Sequence, residues 1–444
     1  MSLVTPESVW NLQKSLADKA KGNPAFRFYS LYDKIYRKDV LRFAWQRCKT
    51  NGGSPGINGQ TFEMIEAGGV DQWLDELAEE LKQKSYRPKA IKRVLIPKPD
   101  GKMRPLGIAC VRDRVIQVAV VIILEPIFDV DLPEEQYGYR PGKSAHDAVR
   151  AVHGWLNRGH RQVVDADLSG YYDSIPHHEL LKCVARRISD GAMLALIRQW
   201  LENPVEETDQ RGHTQRTTVN KDTGRGTPQG SPLSPLLANL YMRRFILGWK
   251  KQGWEQRFGA RIVNYADDYV ILCRGSAEEA RTRMQKIMNV LKLKVNETKT
   301  KTCRVPEESF DFLGYTIGWQ YSTRNGRGYI GTRPSQKRIQ RFCEAISLGL
   351  GPETTYTSVE EMVQELNLKL RGWANYFCLG AVSKAYQAVQ RHTCYRLRQW
   401  LRRKHKTGRS GYSKYWDSYL YEQLGLLDMT KLTTTFPWAK PADS

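Results

Sequence analysis

The most informative segment of the sequence is Arg261-Ile-Val-Asn-Tyr-Ala-Asp-Asp-Tyr-Val-Ile-Leu-Cys273, which sets two adjacent carboxylates between two apolar runs. The apolar residues on either side predict a pair of strands, with Asp267 and Asp268 at the turn between them. Neighbouring carboxylates repel each other, so a fold keeps them in an apolar hairpin only where a cation neutralises them. The stretch therefore predicts a cation site at the end of a sheet.

A second acidic cluster follows another short apolar strand. The segment Arg161-Gln-Val-Val-Asp-Ala-Asp-Leu168 reads as a strand that ends in carboxylates. One aspartate at a strand end is usually a turn cap or a solvated side chain, whereas two such clusters together are costly without metal. Two Mg²⁺ ions about 3.5–4 Å apart would neutralise them and clamp the attacking and leaving oxygens of a phosphoryl transfer.

A loop rich in glycine, proline and serine lies between the two acidic clusters. It runs Gly226-Thr-Pro-Gln-Gly-Ser-Pro-Leu-Ser-Pro235 and opens a helical segment. Such a loop presents backbone N–H groups and small side chains to a ligand, although on its own it could simply cap the helix. Between two acidic clusters in a basic protein, we interpret it as a loop that faces a nucleotide.

Composition narrows the functional classes. The chain has 444 residues with 69 Lys+Arg against 47 Asp+Glu, a formal net charge of +22, which favours a polyanionic partner such as nucleic acid. The longest apolar run, Val115–Leu124, is too short for a membrane span, and the N-terminus lacks a secretory signal. The eight cysteines form no CxxC pair, which argues against a disulfide scaffold or a zinc module. We therefore expect a protein of the cytosol, with reduced thiols and no membrane partner.

The remaining patterns indicate an α+β fold. Residues 1–85 are predicted to be helical, interrupted by the glycine-rich loop Asn51–Gly59. Ile91–Ile96 predicts a strand, Arg112–Phe128 a buried helix and 276–293 an amphipathic helix, without a regular βαβ rhythm. Beyond about residue 330 the strand signals fade into basic helices, one of which opens at a capping box of Ser358 and Glu361.

At these residues the chain closely resembles bacterial group II intron reverse transcriptases, or maturases, of the compact type. Asp167-Leu-Ser-Gly-Tyr-Tyr-Asp173 resembles polymerase motif A, Gly226–Pro235 motif B and Tyr265-Ala-Asp-Asp268 motif C. The further matching segments are Ser54–Gly59, Ile96–Leu106, Gln136–Ser144, Leu293–Thr300, Phe312–Tyr315 and Arg371–Phe377. The resemblance covers about residues 25–430, and the motifs stand in the same order and spacing.

The resemblance implies a right-hand polymerase with fingers, palm and an all-helical thumb or maturase domain. The implied domains are an N-terminal extension with a glycine-rich loop at 1–77, fingers and palm at 78–317, a helical RNA-binding thumb at 318–432, and a tail at 433–444. The chain ends soon after the thumb without a metal-spaced Cys/His set. We therefore expect no HNH endonuclease step, as in intron proteins that prime from existing nicks or replication forks.

The resemblance also implies roles for individual residues. Two Mg²⁺ ions, for which Mn²⁺ can substitute, would be held by Asp167, Asp267, Asp268 and the Leu168 carbonyl. Lys299 would protonate the pyrophosphate leaving group, although a lone lysine is more often a solvated surface charge. The implied nucleotide-binding residues are Lys98, Arg104, Tyr172, which would exclude a 2′-OH, and Gln229. Asp165 and Asp173 are expected to be structural, and only one of Tyr171 and Tyr172 can face the sugar.

Basic residues of the thumb are expected to contact nucleic-acid phosphates, which gives affinity without sequence information. The implied residues are Lys337, Arg338, Arg341, Arg371, Arg398 and Arg402. The implied partners are an RNA template, a DNA primer, deoxynucleotides, and a cognate group II intron RNA with its target DNA, in the bacterial cytosol or nucleoid. Two alternatives remain open: an RNA-binding splicing cofactor with little polymerase activity, and a free-standing relative that acts in DNA repair or phage defence.

Overall fold

The computed structural model of the protein describes residues 3–97, 103–208, 213–322, 325–407 and 414–434. Helices and strands are interspersed along these ranges, and the strands described there form three separate sheets. This arrangement confirms the α+β class predicted from the sequence. Within the described ranges, no helix combines the length and the apolar character that crossing a membrane requires.

The N-terminal part is helical, as predicted. Its helices are α1 (Glu7–Gly22), α2 (Tyr32–Ile35), α3 (Lys38–Asn51), α4 (Phe62–Gly68) and α5 (Val70–Lys82). The predicted glycine-rich loop connects α3 to α4. Arg114, in the later helix Val111–Asp129, holds this loop by donating hydrogen bonds to the carbonyls of Gly52 (3.2 Å) and Ser54 (2.9 Å).

The fingers are built on an antiparallel hairpin and two helices. Their elements are β1 (Ile91–Pro97), β2 (Met103–Ile108), α6 (Val111–Asp129) and α7 (Ala145–Asn157). Helix α6 agrees with the predicted buried helix to within one residue at each end, and it is apolar on most of its circumference because other elements surround it. A capping box of Ser144 and Asp147 starts α7.

The palm contains the two acidic clusters and the loop between them. Its elements are β3 (Gln162–Ala166), α8 (Tyr171–Ser174), α9 (His177–Ala185), α10 (Gly191–Leu201), β4 (Val205–Thr208), β5 (Thr214–Thr217), α11 (Val219–Thr223), α12 (Ser234–Lys251), α13 (Trp254–Arg257), β6 (Arg261–Tyr265), β7 (Asp268–Cys273), α14 (Ala277–Val290) and β8 (Lys301–Arg304). Strands β4 and β5 extend the fingers sheet in the order β2-β1-β4-β5, while the palm sheet has the antiparallel order β6-β7-β3-β8.

The palm sheet divides the core into two clusters because successive side chains point to opposite faces. Val164 and Ala166 pack into the cluster that includes α9, α12 and α14. Val163 and Val270 pack into the other cluster, with α7 and the thumb. By the same alternation, Asp165 and Asp268 lie on the face that carries the thumb.

The thumb begins with strands and continues as helices. Its elements are β9 (Phe310–Phe312), β10 (Tyr315–Tyr321), β11 (Gly328–Pro334), α15 (Gln336–Gly349), α16 (Val359–Tyr376) and α17 (Ser383–Lys404), with short 3₁₀ turns at Pro352–Thr354 and Met429–Thr434 and a π turn at Tyr419–Gln423. The predicted capping box at Ser358 is confirmed at the start of α16. Residues 435–444 of the predicted tail lie outside the described residues.

The helical part of the thumb starts later than the sequence suggested. Residues from 318 to 334 were expected in the helical domain, but most of them form β10 and β11, which pair antiparallel from Tyr315↔Pro334 to Tyr321↔Gly328. The pairing is stabilised by Ile317 and Ile330, which are buried in the core shared with the palm. Helices begin only at Gln336.

Candidate active site

The predicted hairpin places its acidic pair at a tight turn. Strands β6 and β7 pair as far as Tyr265↔Asp268, which leaves Ala266 and Asp267 as the two turn residues. Ala266 adopts φ +57°, the left-handed conformation that two-residue hairpin turns favour. Strand β3 pairs Ala166 with Tyr269 of β7, so the next step of the register sets Asp167 opposite Asp268. The fold therefore brings together the two acidic clusters that are about one hundred residues apart in the sequence.

The turn is held by polar residues that the sequence analysis did not single out. Asn264 donates its side-chain N–H to the Ala266 carbonyl (2.7 Å), and its own carbonyl accepts from the Tyr137 N–H (2.8 Å). A Cβ at Gly138 would lie 2.6 Å from the Ala266 nitrogen, so only glycine permits this close approach. Asn239 donates to the Gly138 carbonyl (2.7 Å). The available signal was an asparagine inside an otherwise apolar strand.

Asp167 is held by the segment that follows α14. Its Oδ2 accepts from Asn296 Nδ2 (3.0 Å) and lies 3.4 Å from Lys299 Nζ. Its backbone N–H donates to Thr300 Oγ1 (3.2 Å). Asn296 and Thr300 belong to the quoted Leu293–Thr300 segment but had no assigned role. The contact places the predicted proton donor beside the predicted metal-binding carboxylate.

The carboxylates disfavour one another's charge. Loss of water in the cleft, together with Asp267 and Asp167, raises the pKa of Asp268 to about 6, and a similar environment raises the pKa of Asp267. Burial raises the pKa of Asp165 to about 7, with Asp268 and Asp311 adding to the effect. Arg104 and Lys299 partly oppose the shift at Asp267. The cleft therefore concentrates negative charge that the described residues neutralise only in part.

The donor set fits Mg²⁺ by its chemistry. Asp167, Asp267, Asp268 and the Leu168 carbonyl supply the oxygen ligands that this hard cation prefers. Among the described residues, no three His, Cys, Asp or Glu side chains are already gathered closely enough to count as a metal centre. The raised pKa values indicate that neutralising cations would be favourable at this position.

The two adjacent tyrosines of the motif face different surroundings. Tyr171 is buried, and its hydroxyl donates to the Ala238 carbonyl (2.7 Å). Tyr172 is half-buried, and burial together with Tyr139 and Asp267 raises its pKa above the ordinary tyrosine value. Of the two, Tyr172 is therefore the one that lies near the carboxylate of Asp267.

The loop Gly226–Pro235 joins the palm to the fingers through Gln229. Its side-chain oxygen accepts from Arg104 Nε (3.1 Å), while its Nε2 donates to Asp173 (2.9 Å). The Gln229 carbonyl accepts from the Gly107 N–H (2.7 Å). The predicted nucleotide-binding pair Arg104 and Gln229 is thus brought into direct contact. The fourth predicted residue, Lys98, lies outside the described residues.

Most of the predicted nucleic-acid-binding cations of the thumb are accessible. Lys337, Arg338 and Arg371 are exposed, while Arg341 and Arg402 are partly exposed. Arg338 is near enough to Asp268 for its positive charge to oppose part of the rise in the pKa of that carboxyl. The thumb therefore presents cations at the edge of the cleft.

Arg398 differs from the other predicted thumb cations because it is buried. It is 8% exposed, its Nε donates to the Tyr415 carbonyl (2.6 Å), and its guanidinium pairs with Asp417. The residue lies on the inward face of α17 between Leu397 and Leu401, so the α-helical repeat turns it away from solvent. Its burial and its partners within the thumb argue against a phosphate contact at Arg398, which stays a prediction.

Comparison with known proteins extends the geometric findings. The family profile of reverse transcriptase (RNA-dependent DNA polymerase) matches residues 96–317, and that of the group II intron maturase-specific domain matches residues 339–416. Protein YkfC of Escherichia coli (strain K12) is 31% identical over 364 residues, which cover 73% of this chain and 92% of that protein. Group II intron-encoded protein LtrA of Lactococcus lactis subsp. cremoris is 26% identical over 441 residues, 80% of this chain and 71% of that protein.

Among solved structures, telomerase from Candida albicans, with a fragment of telomeric RNA, matches 81% of this chain and 70% of that chain. The identity is 13% and the TM-score is 0.43, a similarity too distant to support an argument. The two profile matches and the relative that is 31% identical do identify the family, and they agree with the predicted resemblance. This chain belongs to the reverse transcriptases, in the group II intron type that carries a maturase-specific domain.

Proposed function

We propose that this chain extends the 3′-OH of a primer on an RNA template, by a two-metal phosphoryl transfer that consumes deoxynucleoside triphosphates. The observation that carries the proposal is the register of β3 and β7, which sets Asp167 opposite Asp268, beside the turn that holds Asp267. Two Mg²⁺ ions held by these carboxylates and the Leu168 carbonyl would activate the primer hydroxyl and stabilise the charge of the transferring phosphoryl group.

The side chains around the carboxylates would hold the nucleotide. Arg104 would bind the triphosphate, assisted by Lys98, and Gln229 would orient the nucleotide within the pocket. Tyr172 would lie under the sugar and sterically exclude a 2′-OH. Lys299, whose Nζ lies 3.4 Å from Asp167, would donate a proton to the leaving pyrophosphate.

Primer extension tests this proposal. The purified chain, an RNA template annealed to a DNA primer, and deoxynucleotides with Mg²⁺ should yield full-length DNA. Asp267→Asn should abolish the product, whereas the matched control Asp18→Asn, an exposed carboxylate on α1, should leave it unchanged. Absence of product from the native chain, or equal product from Asp267→Asn, would contradict the proposal.

We further propose that the chain binds a group II intron RNA and assists its splicing and retrohoming. The maturase-specific match and the relative described as a group II intron-encoded protein support this role. A splicing assay with the intron RNA that flanks the gene would test it, and the polymerase-inactive Asp267→Asn should retain splicing. Retention would separate this role from DNA synthesis.

Two alternatives predict other outcomes. A splicing cofactor with little polymerase activity would promote splicing without primer extension. A free-standing relative that works in DNA repair or phage defence would extend primers, and no folded intron RNA would flank its gene. Inspection of the flanking DNA therefore discriminates this last alternative from the mobile-intron role.

A further inference from the structure

A cavity of about 460 Å³ lies on the side of the palm sheet away from the catalytic carboxylates. It is formed between α9 and α12, which pack on the sheet face opposite to that of Asp165 and Asp268. The cavity is lined by Glu179, Lys182, Cys183, Arg186, Leu240, Arg243 and Arg244. Its size falls within the range of sites that hold small molecules, about 300–1,000 Å³.

The charges of the lining do not balance. Four of the seven lining residues are cations and one is a carboxylate. That carboxylate, Glu179, already pairs with Lys292 (2.6 Å) outside the lining. The nearest other acid, Asp131, is shared between Arg186 and the buried Arg187. The cavity therefore has a surplus of positive charge, which costs free energy unless an anion enters.

Arg244 gives the most direct indication that the cavity binds an anion. Its NH1 atom is buried, and no hydrogen-bond acceptor in the described structure reaches it. The guanidinium lies over the ring of Tyr241, 5.2 Å from the centroid, and the Tyr241 hydroxyl is fixed by donating to the Leu291 carbonyl (2.7 Å). A buried donor without an acceptor is uncommon in folded proteins, and a bound ion or water is one way in which it is satisfied.

Arg243 supplies a second oriented donor group. Its Nε donates to the Asp131 carbonyl (2.8 Å), which fixes the plane of the guanidinium. Burial, followed by the charge of Arg186, lowers the pKa of Arg243, so its surroundings disfavour the positive charge. Two guanidinium groups that line the same cavity, one oriented by the Asp131 carbonyl and one lying over Tyr241, match the several acceptor oxygens of a phosphate better than they match a single chloride.

We propose that this cavity binds a phosphate group, which accepts hydrogen bonds from Arg243 and Arg244 and is attracted further by Lys182 and Arg186. The phosphate belongs either to a free phosphorylated small molecule or to the backbone of an RNA strand. The lining offers Leu240 and Cys183 but no aromatic ring for base stacking, so the phosphate rather than a base is recognised. The site is separate from the polymerase cleft and does not depend on polymerase chemistry.

Cys183 makes the proposal testable on the native chain, because this partly exposed thiol lines the cavity. Peptide mass spectrometry would follow its alkylation by iodoacetamide in inorganic phosphate and in chloride of equal ionic strength. Bound phosphate should slow the reaction by a factor of 1+[L]/Kd, about tenfold when its concentration is nine times Kd. Cys343, a partly exposed thiol on α15, is the internal control and should react equally in both salts. Equal rates at Cys183 would overturn the proposal.

A paired variant tests the two arginines. Arg243→Gln with Arg244→Gln should abolish the protection of Cys183 by phosphate, whereas the matched pair Lys251→Gln with Lys286→Gln, exposed cations outside the cavity, should retain it. Should the double variant fail to fold, Arg244→Lys keeps the charge but loses the forked donors and should weaken the protection. Protection that survives these substitutions would contradict the assignment to the two arginines.

A short single-stranded RNA at low phosphate distinguishes the two sources. Protection of Cys183 by the RNA would assign the site to a strand backbone, and protection by inorganic phosphate alone would assign it to a small phosphorylated molecule. For a strand, the double variant Arg243→Gln with Arg244→Gln should also reduce the magnitude of the slope of log K against log salt by about 0.7, because it removes one phosphate contact. Primer extension at saturating template and primer should be unchanged, so failure here leaves the polymerase proposal standing.

Discussion

Asp113 and Asp268 each have a pKa raised to about 6, chiefly by burial, yet they lie in opposite kinds of surroundings. Asp113 is 1% exposed at the start of α6, and its carboxylate accepts from the Tyr86 hydroxyl (2.6 Å) and the Lys89 N–H (3.1 Å). Asp268 opens onto the cleft, where its neighbours include the carboxylates of Asp267 and Asp167.

A raised pKa therefore indicates a functional carboxylate only where no hydrogen-bond donors within the core satisfy that carboxylate. Asp113 is satisfied by hydrogen bonds from within the core, so its role is structural. Asp268 faces other acids, so its charge calls for a ligand. The adjacent tyrosines differ in the same way. The Tyr171 hydroxyl donates a hydrogen bond inside the core, whereas Tyr172 faces the cleft.

The largest expected effect is at the cleft. Asp268→Asn should lower the rate of primer extension by about a thousandfold, because it removes an oxygen ligand and negative charge from the site of phosphoryl transfer. Urea unfolding at neutral pH should show no loss of stability, because the substitution relieves repulsion among the carboxylates. If the inactive variant were also strongly destabilised, Asp268 would have a structural role like that of Asp113, and the contrast between the two residues would be wrong.

Asp113→Asn should leave activity unchanged and should alter the dependence of stability on pH. The Asp113 carboxyl ionises at about pH 6 in the folded protein, against an ordinary value of 3.8, so the native state binds more protons between these values. Native stability should therefore fall as pH rises from about 4 to about 6, by up to about 3 kcal/mol at about 1.4 kcal/mol per pKa unit.

The asparagine variant lacks this dependence. The difference in unfolding free energy between Asp113→Asn and the native chain, measured in urea at about pH 4 and pH 7, should move in favour of the variant as pH rises. Primer extension at neutral pH should be unchanged. A difference that does not vary with pH would show that Asp113 is not held with a raised pKa.

The tyrosine pair should separate selectivity from stability. Tyr172→Ala should reduce discrimination against ribonucleotides by about tenfold or more, because it removes the ring proposed to exclude the 2′-OH. Tyr171→Phe should lower the unfolding free energy by about 1 kcal/mol through loss of the hydrogen bond to Ala238, and should leave selectivity unchanged. Single-nucleotide incorporation with matched deoxy- and ribonucleotides measures the first effect.

The smallest expected effect contrasts the surface and the interior of the thumb. Arg338→Gln should reduce the slope of log K against log salt for template–primer binding by about 1, because an exposed cation loses one phosphate contact. Arg398→Gln should leave that slope unchanged and lower stability instead, since it breaks buried hydrogen bonds to Tyr415 and Asp417. Equal slopes for Arg338→Gln and the native chain would remove Arg338 from the nucleic-acid surface.

Local patterns predicted the elements well where apolar periodicity was strong. The buried helix α6, the hairpin of β6 and β7 and the capping box at Ser358 were all anticipated within one or two residues. The hairpin of β10 and β11 was missed because its strands are rich in glycine and exposed tyrosine, so their alternation is weak. Asn264, which holds the turn, and Asn296, which holds Asp167, carried no periodic signal.

The sequence alone determined which residues carry charge and which segments are apolar, and hence the family, the α+β class and the carboxylates proposed for catalysis. The sequence did not show which of two similar residues, such as Tyr171 and Tyr172, faces the cleft, because that depends on the packing of distant elements. In the folded chain Arg398 is buried and Arg338 is exposed. The fold also places Arg243 and Arg244 across a cavity from α9, behind the palm sheet. The physical reason is that composition is local, whereas burial and the partner of each charge depend on elements far apart in the chain.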